Sequence, residues 1–334
     1  MGQNKKMTGK ILEVIDLKTY FFTRRGIARA VDGVSFSLKE GETLGLVGES
    51  GCGKTVTSLS ILRLVPEPAG RIVGGEILFE GKNLLTKSEK EMREIRGKNI
   101  AMILQDPMTS LNPVLTIGDQ VAAPIKTHQK PPKNILWEEV MDMLRRVRIP
   151  SPKIRMREYP HQMSGGMRKR IVGAIAISCQ PKLLIADEPT TALDVTIQAQ
   201  FLRLLKEIQS TSNLSLILVT HDFGIVAKIC DRVAVMYSGK IVESAATREL
   251  FNHPTHPYTV ALMKSLPKLD QEVDRLYSIE GQPPDLCHMP PGCAFAPRCA
   301  LAMDVCQVEV PPQSSVNVDH YVSCWAHREG SPVA

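Results

Sequence analysis

Gly48-Glu49-Ser50-Gly51-Cys52-Gly53-Lys54-Thr55 decides how the rest of this chain is read. The segment follows the apolar run Thr43-Leu44-Gly45-Leu46-Val47 and precedes a helix-like stretch that begins at Val56. A strand, a glycine-rich turn and a helix in that order form a cradle for phosphate. The glycines let backbone N–H groups converge on the phosphate oxygens, and the helix N-terminus adds positive potential. In such a cradle the backbone from Gly48 through Ser50, Gly51, Cys52 and Gly53 lines the anion. Lys54 reaches the β- and γ-phosphates, and Thr55 holds Mg²⁺.

Leu183-Leu184-Ile185-Ala186-Asp187-Glu188 reads as a buried strand ending in two carboxylates. Acids at such a place are costly unless a cation or proton accompanies them. The carboxyl edge of a parallel sheet is also where ligands bind. Beside a phosphate loop, Asp187 then holds Mg²⁺ directly or through water, and Glu188 orients and polarises the attacking water.

Farther out, residues 11–47 alternate apolar and polar positions in short runs and read as strands. Gly75 to Leu85 reads as a hairpin turning at Glu80-Gly81, and Asn99 to Leu104 as a buried strand ending at Gln105. Helices and proline-broken loops follow to about Met163. After Ser164 come a helix, the strand into Asp187, a helix from about Ile197 to Ser210 and the strand Ser215 to Thr220. This alternation predicts an α/β domain with a largely parallel sheet.

The 334 residues, 43% hydrophobic and 23% charged, suit one large or two ordinary globular domains and exclude wholesale disorder. The best apolar run, Ile171 to Cys179, is broken by Gln180-Pro181-Lys182, so no spanning helix is expected. The basic start MGQNKKMTGK has no apolar stretch of signal-peptide length after it, which predicts a cytoplasmic protein. A net charge of +6 fits a phosphate site or an anionic membrane surface as well as nucleic acid. Composition shifts near Gly281: the last 54 residues hold five of the eight Cys, eight of the 23 Pro, and five acidic against two basic side chains.

Further motifs complete a pattern. Met163-Ser164-Gly165-Gly166-Met167 lies upstream of Asp187-Glu188, and Thr191-Ala192-Leu193-Asp194 follows them. Thr220-His221-Asp222 ends another strand, and Gln105 stands between the phosphate loop and the Ser-Gly-Gly segment. This order resembles the nucleotide-binding subunits of ATP-binding cassette (ABC) transporters, over about residues 11–265. The resemblance implies an α/β P-loop NTPase fold of ABC type spanning 8–265, with an antiparallel β subdomain and a helical subdomain at about 106–165. ATP and Mg²⁺ are the implied ligands. Ser164, Gly165 and Gly166 start a helix and so make a second anion site, set against the γ-phosphate held by a partner subunit. His221 is expected at the γ-phosphate and Gln105 at Mg²⁺ and the attacking water. Asp194 is expected to link the two composite sites of a dimer. The adenine ring is expected on an aromatic upstream of the loop, Phe21 or Tyr20. Val56 stands where a second hydroxyl is common, and Met167 where Gln is usual; neither change removes a catalytic group.

The stretch Gln105 to Pro113, Tyr159-Pro160-His161-Gln162 and His256-Pro257-Tyr258-Thr259-Val260-Ala261-Leu262 resemble subunits that energise dipeptide and oligopeptide importers. Relatives carrying nickel or other small solutes share these patterns. Gly281-Gln282-Pro283-Pro284 leads into the Cys-rich part, 287–324, of a small C-terminal extension, 266–334. Cys293, Cys299, Cys306 and Cys324 offer four soft ligands, for which disulfides, zinc and an iron–sulfur cluster compete. A reducing cytoplasm disfavours disulfides, and the close Cys pairs usual for zinc are missing. Some peptide-importer ATPases carry a 4Fe-4S cluster in this extension, and the resemblance points to that cluster, with zinc as the alternative and Cys287 as the spare thiol.

The implied partners are two transmembrane permease subunits, a second ATPase subunit, identical or not, and an extracytoplasmic solute-binding protein acting indirectly. The implied location is peripheral, at the cytoplasmic face of the membrane, with the segment from about Met108 to Gln162 passing motion to the permeases. The rival class is a soluble cassette ATPase acting on nucleic acid or the ribosome. Such proteins commonly fuse two cassettes or carry long coiled coils. This chain has one cassette, no heptad run and an acidic tail that repels phosphate, so no nucleic-acid partner is expected.

Overall fold

The computed structural model describes residues 9–105, 110–191, 194–266 and 277–328. Residues 106–109, which open the expected helical segment, and Ala192-Leu193 of the loop before Asp194 lie outside the described residues. The strands are β1 (Lys10–Thr23), β2 (Gly26–Lys39), β3 (Thr43–Val47), β4 (Gly70–Phe79), β5 (Lys82–Asn83) and β6 (Ile100–Ile103). After them come β7 (Leu183–Asp187), β8 (Ser215–Thr220), β9 (Arg232–Tyr237), β10 (Lys240–Ala246), β11 (Ser314–Asn317) and β12 (His320–Val322). The chain divides into two compact units, each assembled from separate stretches of sequence.

One unit comprises Leu12–Leu38, Thr43–Leu85 and the chain from Val219 onward. Its first sheet has the order β2-β1-β4-β5 and contains the expected hairpin. Glu80 and Gly81 both take positive φ, 48° and 75°, which is the backbone of a two-residue turn matched to strand twist. Its second sheet runs β11-β12-β10-β9-β3. β3 and β9 are parallel, with Leu44 opposite Arg232 and Val47 opposite Val235. Beyond β9 the expectation of a largely parallel sheet fails. Ser238 and Gly239, at φ 43° and 81°, reverse the chain in two residues, so β10 returns antiparallel to β9. The C-terminal hairpin β11–β12 then adds to β10, Glu243 facing Val322 and Ser244 facing Tyr321.

A buried carboxylate fastens that hairpin. The Glu243 and His320 side chains are both 0% exposed, and His320 Nε2 donates to Glu243 Oε1 at 2.8 Å. The same carboxylate accepts from Thr255 N at 2.7 Å and His256 N at 3.0 Å. Donors from two segments thereby balance a charge that burial alone would not tolerate. His256 in turn caps the helix Pro257–Lys264, its Nδ1 accepting from Tyr258 N at 3.0 Å.

The other unit comprises Lys39–Glu42 and Thr86–Leu218, with the described residues up to Ile11. Its strands lie in the order β8-β7-β6, β6 and β7 being parallel with Ile100 opposite Leu183 and Ile103 opposite Ala186. β7 is buried at every position, as befits a strand covered on both faces. The helix Gly165–Ile177 packs on β6, and two further helices, Ile117–His128 and Lys133–Arg146, pack against it and each other. The first of these buries Ile117, Val121 and Ile125, and the second Leu136, Val140, Met143 and Leu144, the apolar stripe that a 3.6-residue period sets on one face. Gln120 splints the loop before them, accepting from Asn112 N and donating to the carbonyls of Asn112 and Leu115. Among the described residues no helix is long and apolar enough to cross a membrane.

Burial pushes the His256 pKa down from 6.5 to about 4, against a smaller opposing pull from Glu243. Its folded value lies below the unfolded one, so its contribution to stability is full above pH 6.5 and is lost as the pH falls toward 4. Urea unfolding at pH 7 and pH 5 is expected to differ by about 2 kcal/mol from this group, the equivalent of about 1.5 pH units. His256→Asn keeps a cap for Tyr258 N and is expected to flatten that difference.

Candidate nucleotide site

β3 is buried throughout and delivers the chain into a loop that only glycine permits at two points. Gly48 has φ +150°, and a Cβ there would lie 2.2 Å from the Met236 carbonyl oxygen. Gly53 has φ +104°, and its Cβ would lie 2.3 Å from the Ala30 carbonyl oxygen. Cys52 N donates to Glu49 O at 3.3 Å, and Gly239 N donates to Cys52 O at 2.9 Å. The helix Lys54–Ile61 starts at Gly53 with no side-chain cap and no acid in its first turn, so no group of its own first turn cancels its N-terminal potential.

Lys54 is 6% exposed. Its ammonium donates to the carbonyls of Gly48 at 2.7 Å and Glu49 at 2.9 Å, over the loop that the sequence marks as the phosphate cradle. Ser50, Gly51 and Thr55 are exposed. Cys52 is buried, and burial raises its thiol pKa, which marks it as packing rather than as a nucleophile. Val56 offers no hydroxyl, and the next one, on Thr57, is buried and donates to Gly53 O at 2.9 Å.

In the other unit, Asp187 ends β7 at 1% exposure. Glu188 follows at φ +44°, a left-handed conformation that costs a non-glycine residue about 1 kcal/mol and gathers at functional sites. Its Oε2 accepts from Gln105 Nε2 and from Thr191 Oγ1, both at 3.0 Å. Gln105 and Glu188, 83 residues apart, are therefore neighbours. Sequence reasoning gave Thr191 no role, although its hydroxyl fixes the carboxylate. It also passed over Lys169, 5% exposed, whose ammonium donates to Thr191 O and ties the helix Gly165–Ile177 to the loop behind Glu188. In the sequence it is the middle of Arg168-Lys169-Arg170, one turn into the helix, and nothing local sets it apart from its neighbours.

Ser164 caps that helix, its Oγ accepting from Met167 N at 3.3 Å, and the first turn carries no acid. Ser164 and Gly165 are exposed. Asp194, also exposed, caps the helix Val195–Ser212 through Ile197 N at 2.9 Å. His221 is exposed ahead of the helix Phe223–Ile229, whose cap Asp222 accepts from Gly224 N and Ile225 N. Strand alternation sends Tyr20 and Phe21 to opposite faces of β1. The Tyr20 hydroxyl donates to Asp32 at 2.6 Å, and Arg29 lies 6.0 Å from its ring. Burial and that carboxylate push its pKa up to about 12. Phe21 pairs with Gly70 of β4.

Cys293, Cys299, Cys306 and Cys324 line one small cavity with Phe295, Leu301 and Trp325. Burial raises the thiol pKa of Cys293 to about 11 and also raises those of Cys299 and Cys324, with neighbouring thiols of the set adding to each. All eight cysteines are free thiols. Among the described residues no three His, Cys, Asp or Glu side chains are grouped tightly enough to hold a metal ion. Cys287 lines a separate, larger cavity of about 670 Å³ beside Arg29 and Lys240.

Residues 31–191 match the family model for the ABC transporter, and residues 242–306 match that for the oligopeptide/dipeptide transporter, C-terminal region. The chain is 53% identical to the dipeptide transport ATP-binding protein DppD of Bacillus subtilis, over 95% of this chain and 94% of that protein. It is 50% identical to a probable peptide ABC transporter ATP-binding protein of Sinorhizobium fredii, over 98% of each. Its fold matches an ATP-binding cassette solved as a dimer in a post-hydrolysis state with ADP and Pi. That match has a TM-score of 0.64 at 22% identity, over 71% of this chain and 99% of the other. It also matches cbiO1 of Clostridium perfringens, part of the ABC transporter complex cbiONQ, with a TM-score of 0.62 at 28% identity, over 73% and 91%. The chain belongs to the ATP-binding proteins of ABC transporters. Within that class its C-terminal region is of the oligopeptide/dipeptide type.

Gly53→Ala forces a methyl group against the Ala30 carbonyl in a backbone conformation that alanine resists. Titration with a fluorescent ATP analogue is expected to show at least about a tenfold loss of affinity, equivalent to about 1.4 kcal/mol. Affinity equal to that of the parent protein would show that this turn is not the phosphate cradle.

Proposed function

We propose that this chain is the ATP-hydrolysing subunit that powers an importer of dipeptides or oligopeptides from the cytoplasmic face of the membrane. The observation that carries the reading is near end-to-end identity of 50–53% with peptide-transport ATP-binding proteins, in a chain that has the phosphate loop and the Gln105–Glu188 pair. In this reading Lys54 and the loop from Gly48 to Gly53 hold the β- and γ-phosphates, with Phe21 or Tyr20 against the adenine. Thr55, Asp187 and Gln105 supply the hard oxygen donors that suit Mg²⁺, which neutralises phosphate charge. Glu188 accepts the proton of the attacking water, and Gln105 and Thr191 hold its carboxylate in place. His221 contacts the γ-phosphate.

Two such subunits pair, so that Ser164, Gly165 and Gly166 of each cover the γ-phosphate of the other, and Asp194 links the two sites. The exposure of Ser164, Gly165 and Asp194 supports this arrangement. Membrane subunits dock on the helical segment, where Val114, Leu115 and Ile154 are 76%, 44% and 62% exposed. A solute-binding protein outside the membrane delivers the peptide to them.

Cys293, Cys299, Cys306 and Cys324 line one cavity, which supports the reading of these thiols as ligands of a 4Fe-4S cluster, with zinc as the alternative, provided they draw closer than they stand here. Bound there, such a group would brace the segment through its thiolates.

Glu188→Gln is expected to bind ATP and stabilise the closed dimer while slowing turnover about 10²-fold or more. ATP hydrolysis by the assembled transporter reads this directly, and normal turnover would remove Glu188 from its role. Anaerobic purification with iron, zinc and sulfide analysis is expected to give about four iron and four sulfide per chain, the composition of one four-iron cluster. One zinc without sulfide would replace the cluster by a zinc site.

A further inference from the structure

Arg298 stands immediately before Cys299, at the end of the short turn Ala296–Arg298, and its side chain is 4% exposed. All five of its N–H donors are used. Nε donates to Glu280 O at 2.9 Å. Nη1 donates to Glu49 Oε2 at 2.7 Å and to the Tyr237 hydroxyl at 3.3 Å. Nη2 donates to Glu49 Oε1 at 3.0 Å and to Ile279 O at 3.3 Å. The pairing with Glu49 is bidentate, a geometry that a guanidinium provides and an ammonium does not.

Glu49 is the second residue of the phosphate loop, and it is held from several sides. Its N–H donates to the Tyr258 hydroxyl at 2.9 Å, and its carbonyl accepts from Lys54 and Cys52. Tyr258 packs 4.6 Å from Tyr237 and 5.3 Å from Phe295, and Arg298 lies 5.8 Å from the Tyr237 ring and 6.0 Å from that of Phe295. The segment from Cys293 to Cys299 thus provides two thiols of the cysteine set together with an aromatic ring and a cation that brace the phosphate loop.

An unneutralised carboxylate beside a phosphate cradle repels the ligand and pulls on the loop that binds it. We propose that Arg298 is a positioning residue for the phosphate loop, neutralising and holding Glu49 so that nucleotide affinity depends on the integrity of the Cys293–Cys299 segment. The inference rests on the reading of residues 48–55 as the phosphate loop.

The test is equilibrium titration of the full chain with ATP analogue, together with KM and kcat for ATP in the assembled transporter. Arg298→Gln is expected to raise the dissociation constant and KM about tenfold while kcat at saturating ATP stays within about twofold, and Arg298→Lys to fall between it and the parent. In the Arg298→Gln background, adding Glu49→Gln removes the stranded charge and is expected to recover much of the lost affinity. Cys299→Ser is expected to weaken nucleotide binding in the same direction. Unchanged affinity in Arg298→Gln overturns the proposal, as does a double variant no better than the single one, which would mark Arg298 as packing only. Unchanged affinity in Cys299→Ser overturns the dependence on the cysteine segment. Lys54→Ala is the control: it is expected to abolish binding, and undiminished binding would overturn the phosphate-loop reading and this inference with it.

Discussion

The carbonyl oxygens of Met236 and Ala30 occupy the places where Cβ atoms of residues 48 and 53 would stand, and this close approach fixes the phosphate loop between β9 and β2. The loop can lie there only while β3 and β9 keep their register, Val47 opposite Val235. A slip of one residue would exchange the two faces of β9 and remove Met236 from beneath Gly48. β9 is held in turn by β10, and β10 by β12. The geometry of the Gly48–Gly53 loop is therefore the last link of a chain of pairings that ends in the C-terminal extension.

That extension is attached by polar geometry as well as by apolar packing such as that of Phe295 on Tyr237 and Tyr258. One of its buried clusters is only Val322, Cys324 and Ala326, with Met303 and Val316 packed on them. So small a core contributes little on its own. Glu243 compensates by drawing donors from Thr255, His256 and His320 into one buried carboxylate. Removing one partner of such a buried pair typically costs about 3–5 kcal/mol, because the other is left charged and dry. The arrangement is directional as well, which fixes the angle at which β12 meets β10 in a way that a patch of aliphatic side chains would not.

The features legible in the sequence are those whose chemistry and local spacing coincide. The phosphate loop announces itself because strand, glycines, lysine and helix are contiguous. Gln105 and Glu188 were identified separately by the ends of two apolar strands, and the parallel pairing of β6 with β7 brings those ends together. The turn at Glu80-Gly81 was readable because two residues with positive φ were all it needed. β11 was not readable: Ser314–Asn317 is polar and nowhere fully buried, and it is a strand only because β12 lies beside it. The helix after Asp194 begins at Val195, two residues before the first apolar periodic position, because the aspartate cap sets its start. Thr191 and Lys169 carried no signal of their own, since their partners are set by the loop that follows β7.

Counting charge misdirects in the same way. The last 54 residues are acidic in sum, yet the group that matters to the phosphate loop is one of their two basic side chains, Arg298. Its partner lies 249 residues away in sequence, beyond the reach of any local pattern. A buried guanidinium is stabilising only when its whole donor set is matched, and Arg298 achieves this with two carboxylate oxygens, one hydroxyl and two carbonyls. Three of those five acceptors, the two carboxylate oxygens of Glu49 and the Tyr237 hydroxyl, belong to the phosphate loop and the strand beneath it. Separating the extension from the loop would therefore strand a buried guanidinium whose carboxylate partner is half-buried.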